Sequence, residues 1–119
     1  MKQGDVILTP VPQADGKLKN RPAIILREMP FYGDLLVCGV STQLHQSVKG
    51  FDETIAPADE DFKLSGLLSK SLIRLGFLAV LPRSRIIGSI GAISSKRHNR
   101  LLKTLSDYLV GNFTKGNDD

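Results

Sequence analysis

The sequence holds a single cysteine, Cys38, and only two histidines, His45 and His98, far apart in the chain. One cysteine rules out an internal disulfide. Within the apolar run from Leu35 to Val40 its thiol is expected to pack as a small hydrophobe. Without a Cys/His cluster the chain offers no ligand set for a structural or catalytic transition metal, so neither metal nor cofactor is expected. No run of about 18 consecutive apolar residues is present, which excludes a membrane-spanning helix by that criterion. The opening residues Met1-Lys2-Gln3-Gly4-Asp5 lack the charged-then-apolar layout of a secretion signal, and a cytoplasmic protein without membrane attachment is expected. A phosphate-cradling glycine loop, a nucleophile–histidine–acid set, an internal repeat and a low-complexity tract are also missing.

What is present suits one folded domain: 119 residues, 41% hydrophobic and 24% charged, enough for a single core. The domain is expected to span 1–119, with a core over about 3–111 and a frayed polar tail over 114–119. The net charge of +4 is unevenly spread. Residues 1–50 carry six basic and four acidic groups, 51–80 three and five, and 81–119 seven and three. A largely basic surface interrupted by one acidic stretch (Asp52, Glu53, Asp59, Glu60, Asp61) suits a polyanion, because lysines and arginines displace counterions from phosphates.

Gly4-Asp5 leads into a short strand, Val6 to Thr9, which Pro10 and Pro12 are expected to end. Gln13 to Asn20 is polar and rich in turn formers, and reads as a mobile loop carrying Lys17 and Lys19. Ala23 to Leu26 reads as a buried strand with Arg21 at its mouth. A turn at 30–34 precedes a third strand over Leu35 to Ser41. A polar loop follows over 43–50, then a half-exposed strand over Phe51 to Ile55, an acidic turn or single helical turn over Pro57 to Phe62, and two or three short strands between Leu67 and Ile93. Many short strands without alternating long helices predict a mainly β fold, a small β-barrel carrying one α-helix. That helix is expected to start at an N-cap of Ser94 or Ser95 and to line up Leu101, Leu102, Leu105 and Leu109 on one face, stopping at Gly111. Lys96, Arg97 and His98 fill its first turn, where the helix dipole favours negative charge; a solvated basic face is expected there, unless an anion lies nearby. Taken by residue type alone, Arg21 is a surface arginine able to pair with Asp15 or Glu28.

Three pieces in order, Gly4-Asp5-Val6-Ile7-Leu8, Lys19-Asn20-Arg21-Pro22-Ala23-Ile24-Ile25-Leu26 and Val40-Ser41-Thr42-Gln43, resemble the MazF/PemK (Kid) family of toxin ribonucleases. The stretch from Gly66-Leu67-Leu68 to Arg85-Ile86-Ile87-Gly88 and the terminal helix follow the same order. The resemblance implies an SH3-like small barrel of the CcdB/MazF/PemK kind with a C-terminal α-helix. It further implies a homodimer that binds single-stranded RNA or mRNA in a groove, cleaves it without metal, and is neutralised by a cognate antitoxin. DNA contact is expected only through a toxin–antitoxin complex. Arg21 falls on the family's catalytic arginine, Ser41 on the position where many members carry a catalytic threonine, and Thr42 beside it. Lys17, Lys19, Gln43, His45 and Lys70 are the candidate RNA-binding residues.

Metal-free cleavage uses the RNA 2′-hydroxyl as nucleophile, so a protein must remove a proton, stabilise a doubly charged phosphorane and protonate the leaving oxygen. An arginine fork beside hydroxyl donors suits the middle task. The chain departs from the family pattern at Leu8, where many members have an aromatic, at Gly16-Lys17, where some have a glutamate, and at Ser69-Lys70-Ser71, where some have an aspartate. The general base is open between His45, Lys17 and Lys70. Two other readings stay open as well: a non-catalytic nucleic-acid-binding barrel and a CcdB-like gyrase poison.

Overall fold

In the computed structural model, which describes residues 1–112, the β-branched and apolar runs form one antiparallel sheet. Its strands are β1 (Asp5–Pro12), β2 (Leu18–Glu28), β3 (Leu35–Ser41), β4 (Glu53–Ile55), β5 (Ser71–Leu81) and β6 (Gly88–Ala92), with two helices, α1 (Phe62–Ser65) and α2 (Ser95–Leu109). The spatial order is β4-β5-β3-β2-β1-β6. The sheet curls into a half-barrel with α2 packed on it, as the short strands and single periodic segment predict. The expected tail at 114–119 lies outside the described residues.

Two expectations about the first hairpin are corrected. β1 runs through Pro10 and ends only at Pro12, and the mobile loop expected over 13–20 is cut short: pairing runs through Pro10↔Asn20 and Val11↔Lys19 to Pro12↔Leu18. Pro10, Pro12 and Pro22 all sit on alternate rungs of this ladder, with Leu8↔Pro22 as the third. The rungs between them can therefore carry the hydrogen bonds, and no proline is asked to donate. The turn that remains, 13–17, is closed by Gln13 N–H donating to Lys17 O at 2.7 Å and by Lys17 N–H donating to Asp15 Oδ1 at 2.9 Å.

The core lies on both faces of β2, as its continuous apolar run requires. Ile24 and Leu26 join Val6, Cys38, Ile73, Leu75, Leu101 and Leu105 beneath α2. Ala23 and Ile25 join Ile7, Leu35 and Val37 on the other face. Cys38 is fully buried as expected; burial, followed by the nearby Asp52 charge, pushes its thiol up to about 12, so it is a packing residue and not a thiolate. The half-barrel is drawn together where α1 meets β6. A Cβ on Gly66, whose φ is +75°, would run into the Ile90 carbonyl, and one on Gly91 would run into the Leu64 carbonyl. Only glycine lets these two backbones approach so closely.

The helix starts as read from the sequence, with the Ser94 hydroxyl accepting from Arg97 N–H at 3.1 Å. Leu101 and Leu105 are buried and Leu102 is half-buried, whereas Leu109 is exposed. The expected solvated basic face is corrected at Arg97, which is 6% exposed. Its guanidinium donates to Asp61 through Nε at 2.9 Å and Nη2 at 3.0 Å, to Asp59 and Glu53 at 3.0 Å each, and to Thr54 O at 3.1 Å. The acidic stretch is thus the anion beside the helix start, supplied from within the chain. Burial pushes the Asp61 carboxyl up, but hydrogen bonds from Arg97 and the Ser94 N–H, with the Arg97 charge, outweigh it and hold Asp61 at about 2.

Candidate functional site

The strand ends on one side of the sheet enclose a groove of about 370 Å³. Its position follows from register. Thr9 pairs with Arg21 across β1 and β2, and Ala23 pairs with Gly39 across β2 and β3. Arg21 lies two residues before Ala23, and Ser41 two after Gly39, so alternation puts both side chains on the same face at adjoining strand ends. Gly39 pairs in turn with Arg74 on β5. Thr9, Arg21, Ser41, Thr42, Gln43 and Arg74 all line the groove, as does Arg85 from the short turn Arg83–Arg85.

Arg21 is exposed and makes neither of the ion pairs open to it by residue type. Its Nη2 donates to Gln13 Oε1 at 3.1 Å, while Glu28 pairs with Arg83. A neutral amide holds one edge of the guanidinium, and among the described residues no carboxylate pairs with it, which suits capture of an anion. The Ser41 hydroxyl oxygen accepts from Gln43 N–H at 3.0 Å. That bond fixes the oxygen at the strand end and leaves the hydroxyl proton to donate elsewhere. Thr42 is exposed beside it.

Of the residues singled out from sequence, the groove gathers Arg21, Ser41, Thr42 and Gln43. Lys17 is exposed in the hairpin turn, and Lys19 is exposed on β2 opposite Val11, a groove residue. His45 lies exposed in the turn Leu44–Gln46, and Lys70 is exposed just before β5. None of these four lines the groove. Among the described residues the only ionisable side chains lining it are Arg21, Arg74 and Arg85. His98 lies elsewhere: its Nε2 meets the Leu26 carbonyl at 2.8 Å, so that nitrogen carries the hydrogen. Among the described residues no group of three or more His, Cys, Asp and Glu is placed to hold a metal ion.

Sequence reasoning missed Arg74, Arg85 and Phe77. Arg74 is the only charge within the β5 run Ser71–Leu81, and that isolated charge in an apolar strand was the available signal. Its Nη1 donates to Gln46 Oε1 at 3.1 Å, and its guanidinium carbon stands 5.7 Å from the centre of the Phe77 ring.

Residues 2–109 match the model of the PemK-like, MazF-like toxin of type II toxin-antitoxin system. Among solved structures the chain is similar to the Mycobacterium tuberculosis toxin MazF-mt6, with 16% identity over 89% of this chain and 96% of that one and a TM-score of 0.64. It is also similar to an endoribonuclease in complex with its cognate antitoxin from Mycobacterial species, with 13% identity over 96% of this chain and 99% of that one and a TM-score of 0.67. At such identities the likeness is one of fold. A search of curated proteins gives no significant match. With the family model covering nearly the whole chain, the protein belongs to the PemK-like, MazF-like toxin family of type II toxin–antitoxin systems.

Proposed function

We propose that this chain is a toxin endoribonuclease that cleaves single-stranded RNA in the cytoplasm, without a metal ion, through attack of the RNA 2′-hydroxyl on the adjoining phosphate. The observation that carries the reading is the convergence of Arg21, Ser41 and Thr42 at one rim of a groove whose ionisable groups, among the described residues, are all arginines.

As the 2′-oxygen attacks, the phosphorus gains a fifth oxygen and charge builds on its two non-bridging oxygens; the P–O5′ bond then breaks and the 5′-oxygen takes a proton. The Arg21 fork spans the two non-bridging oxygens, with one edge already held by Gln13. Ser41 and Thr42 add neutral donors from the end of β3. Because these donors are fixed before charge develops, they favour the transition state over bound substrate. Arg74 and Arg85 hold neighbouring phosphates. No group of the groove itself is assigned as general base, since a guanidinium carries donors and no acceptor for a proton. Lys17, His45 and Lys70 remain the candidates, outside the lining.

The family resemblance supports the homodimer reading, in which a second copy extends the site. An antitoxin with an acidic segment is the expected inhibitor, because it would meet the same three arginines.

The test is incubation of a fluorogenic mixed-sequence RNA with purified protein in excess EDTA. Cleavage is expected. Binding without cleavage across many sequences would favour the non-catalytic barrel, and gyrase inhibition with intact RNA would favour the CcdB-like reading.

A further inference from the structure

β5 does not run evenly beside β3. Gly39 pairs with Arg74 and Cys38 with Leu78, so the register shifts between them and Leu75, Gly76 and Phe77 stand opposite no residue of β3. Such a bulge re-aims side chains and costs ladder hydrogen bonds unless other groups take them. Here the Leu75 N–H donates to Asp52 Oδ1 at 3.0 Å, while Asp52 Oδ2 accepts from Val48 N–H at 2.9 Å. The bulge is therefore held in place by a side chain from the preceding loop.

Its effect is to lay the Phe77 ring over Gly39, where any Cβ would overlap the ring. Even so, Phe77 remains 56% exposed, and it lines the groove beside Arg74. The Arg74 Nε is buried without a hydrogen-bond partner among the described residues. A flat apolar face open to solvent, next to cations, matches a ligand that joins flat rings to negative charge. A nucleotide in a single strand has both, whereas a duplex hides its base faces.

We propose that Phe77 is a stacking platform for one unpaired base of single-stranded RNA in the groove, with Arg74 bracing the ring and facing the adjoining phosphate. The proposal rests on the ribonuclease reading and names how that site grips its substrate. Gly39 is then the niche that seats the ring, and Asp52 the residue that positions it.

The probe is a mixed-sequence single-stranded 2′-deoxy oligonucleotide, which lacks the nucleophile and so reports binding alone. Its bases are removed one at a time to leave abasic positions, and affinity is read by fluorescence anisotropy. For the parent protein, one position is expected to lose roughly five- to a hundredfold in affinity when abasic. Phe77→Ala should lose a similar factor on the intact strand and show no further loss at that position. Phe77→Trp should restore binding and Phe77→Leu should not, with circular dichroism confirming that each variant folds. A folded Phe77→Ala that binds like the parent, or one weakened equally at every abasic position, overturns the platform. If that variant also cleaves RNA normally, the ribonuclease reading survives the loss. A parent that binds with the abasic signature yet never cleaves RNA sinks the ribonuclease reading and leaves the platform supported.

Discussion

Replacing Arg97 with alanine should be among the most damaging changes to this fold, although Arg97 lies outside the groove. Its guanidinium ties the start of α2 to Glu53, Asp59 and Asp61, joining the helix to β4 and to the segment that follows it. Asp61 is 2% exposed, so removing Arg97 strands a carboxylate that keeps only the Ser94 N–H at 3.0 Å. Removing one partner of a buried pair costs about 3–5 kcal/mol, a large share of the roughly 5–15 kcal/mol that holds a domain together. The pH dependence should change with it. In the parent, Asp61 is lowered from the ordinary 3.8 to about 2, which at about 1.4 kcal/mol per unit amounts to about 2–3 kcal/mol. A carboxyl lowered on folding contributes that stability above pH 3.8 and loses it as pH falls toward 2. Without Arg97, burial is opposed only by the hydrogen bonding with Ser94 and the carboxyl rises, so the variant should recover part of its deficit as pH falls from 7 to 5. Urea denaturation followed by circular dichroism at both pH values measures this. A folded Arg97→Ala within about 1 kcal/mol of the parent at pH 7, or one that loses stability from pH 7 to 5 as the acidity rises, would refute the reasoning.

Light scattering of the parent near neutral pH should show about twice the chain mass; a strict monomer at high micromolar concentration would remove the shared groove. RNA affinity should fall with salt with a slope of about −2 in log–log form, as expected for about three phosphates at the arginines of the groove. Arg97 variants that remain folded should keep that slope, and a slope near zero would contradict the groove assignment. Gly91→Ala should cost about 1–3 kcal/mol, because its Cβ would meet the Leu64 carbonyl and backbone atoms of Ser65; a neutral effect in thermal denaturation would show that α1 and β6 do not depend on their close approach.

The β character, the third strand at Leu35–Ser41 and the helix from Ser95 to Leu109 were legible because each rests on local signals: apolar runs, a serine cap and leucines at helical spacing. The length of the first hairpin was not, because a proline reads as a break until the partner strand shows which rungs need a donor. Arg97 was misread for a similar reason. Its position in the first helical turn is local, but its carboxylate partners lie 36 to 44 residues earlier in the chain. In the site, Arg21 with Ser41-Thr42-Gln43 was found through ordered motifs at strand ends. Arg74 and Phe77 enter through a three-residue register shift, and no single-strand pattern reveals a bulge whose stabilising carboxylate, Asp52, lies in another loop.

The central claim is that Arg21 stabilises charge that develops only during cleavage, and the direct measurement compares cleavage with binding in the same variant. Arg21→Ala should lower the cleavage rate in excess EDTA by on the order of a hundredfold or more, while affinity for a non-cleavable strand falls by a smaller factor. Arg21→Lys should recover little, since one ammonium cannot span two phosphate oxygens. A folded Arg21→Ala protein that cleaves as fast as the parent, or one whose loss of rate is matched by its loss of binding, would contradict the account.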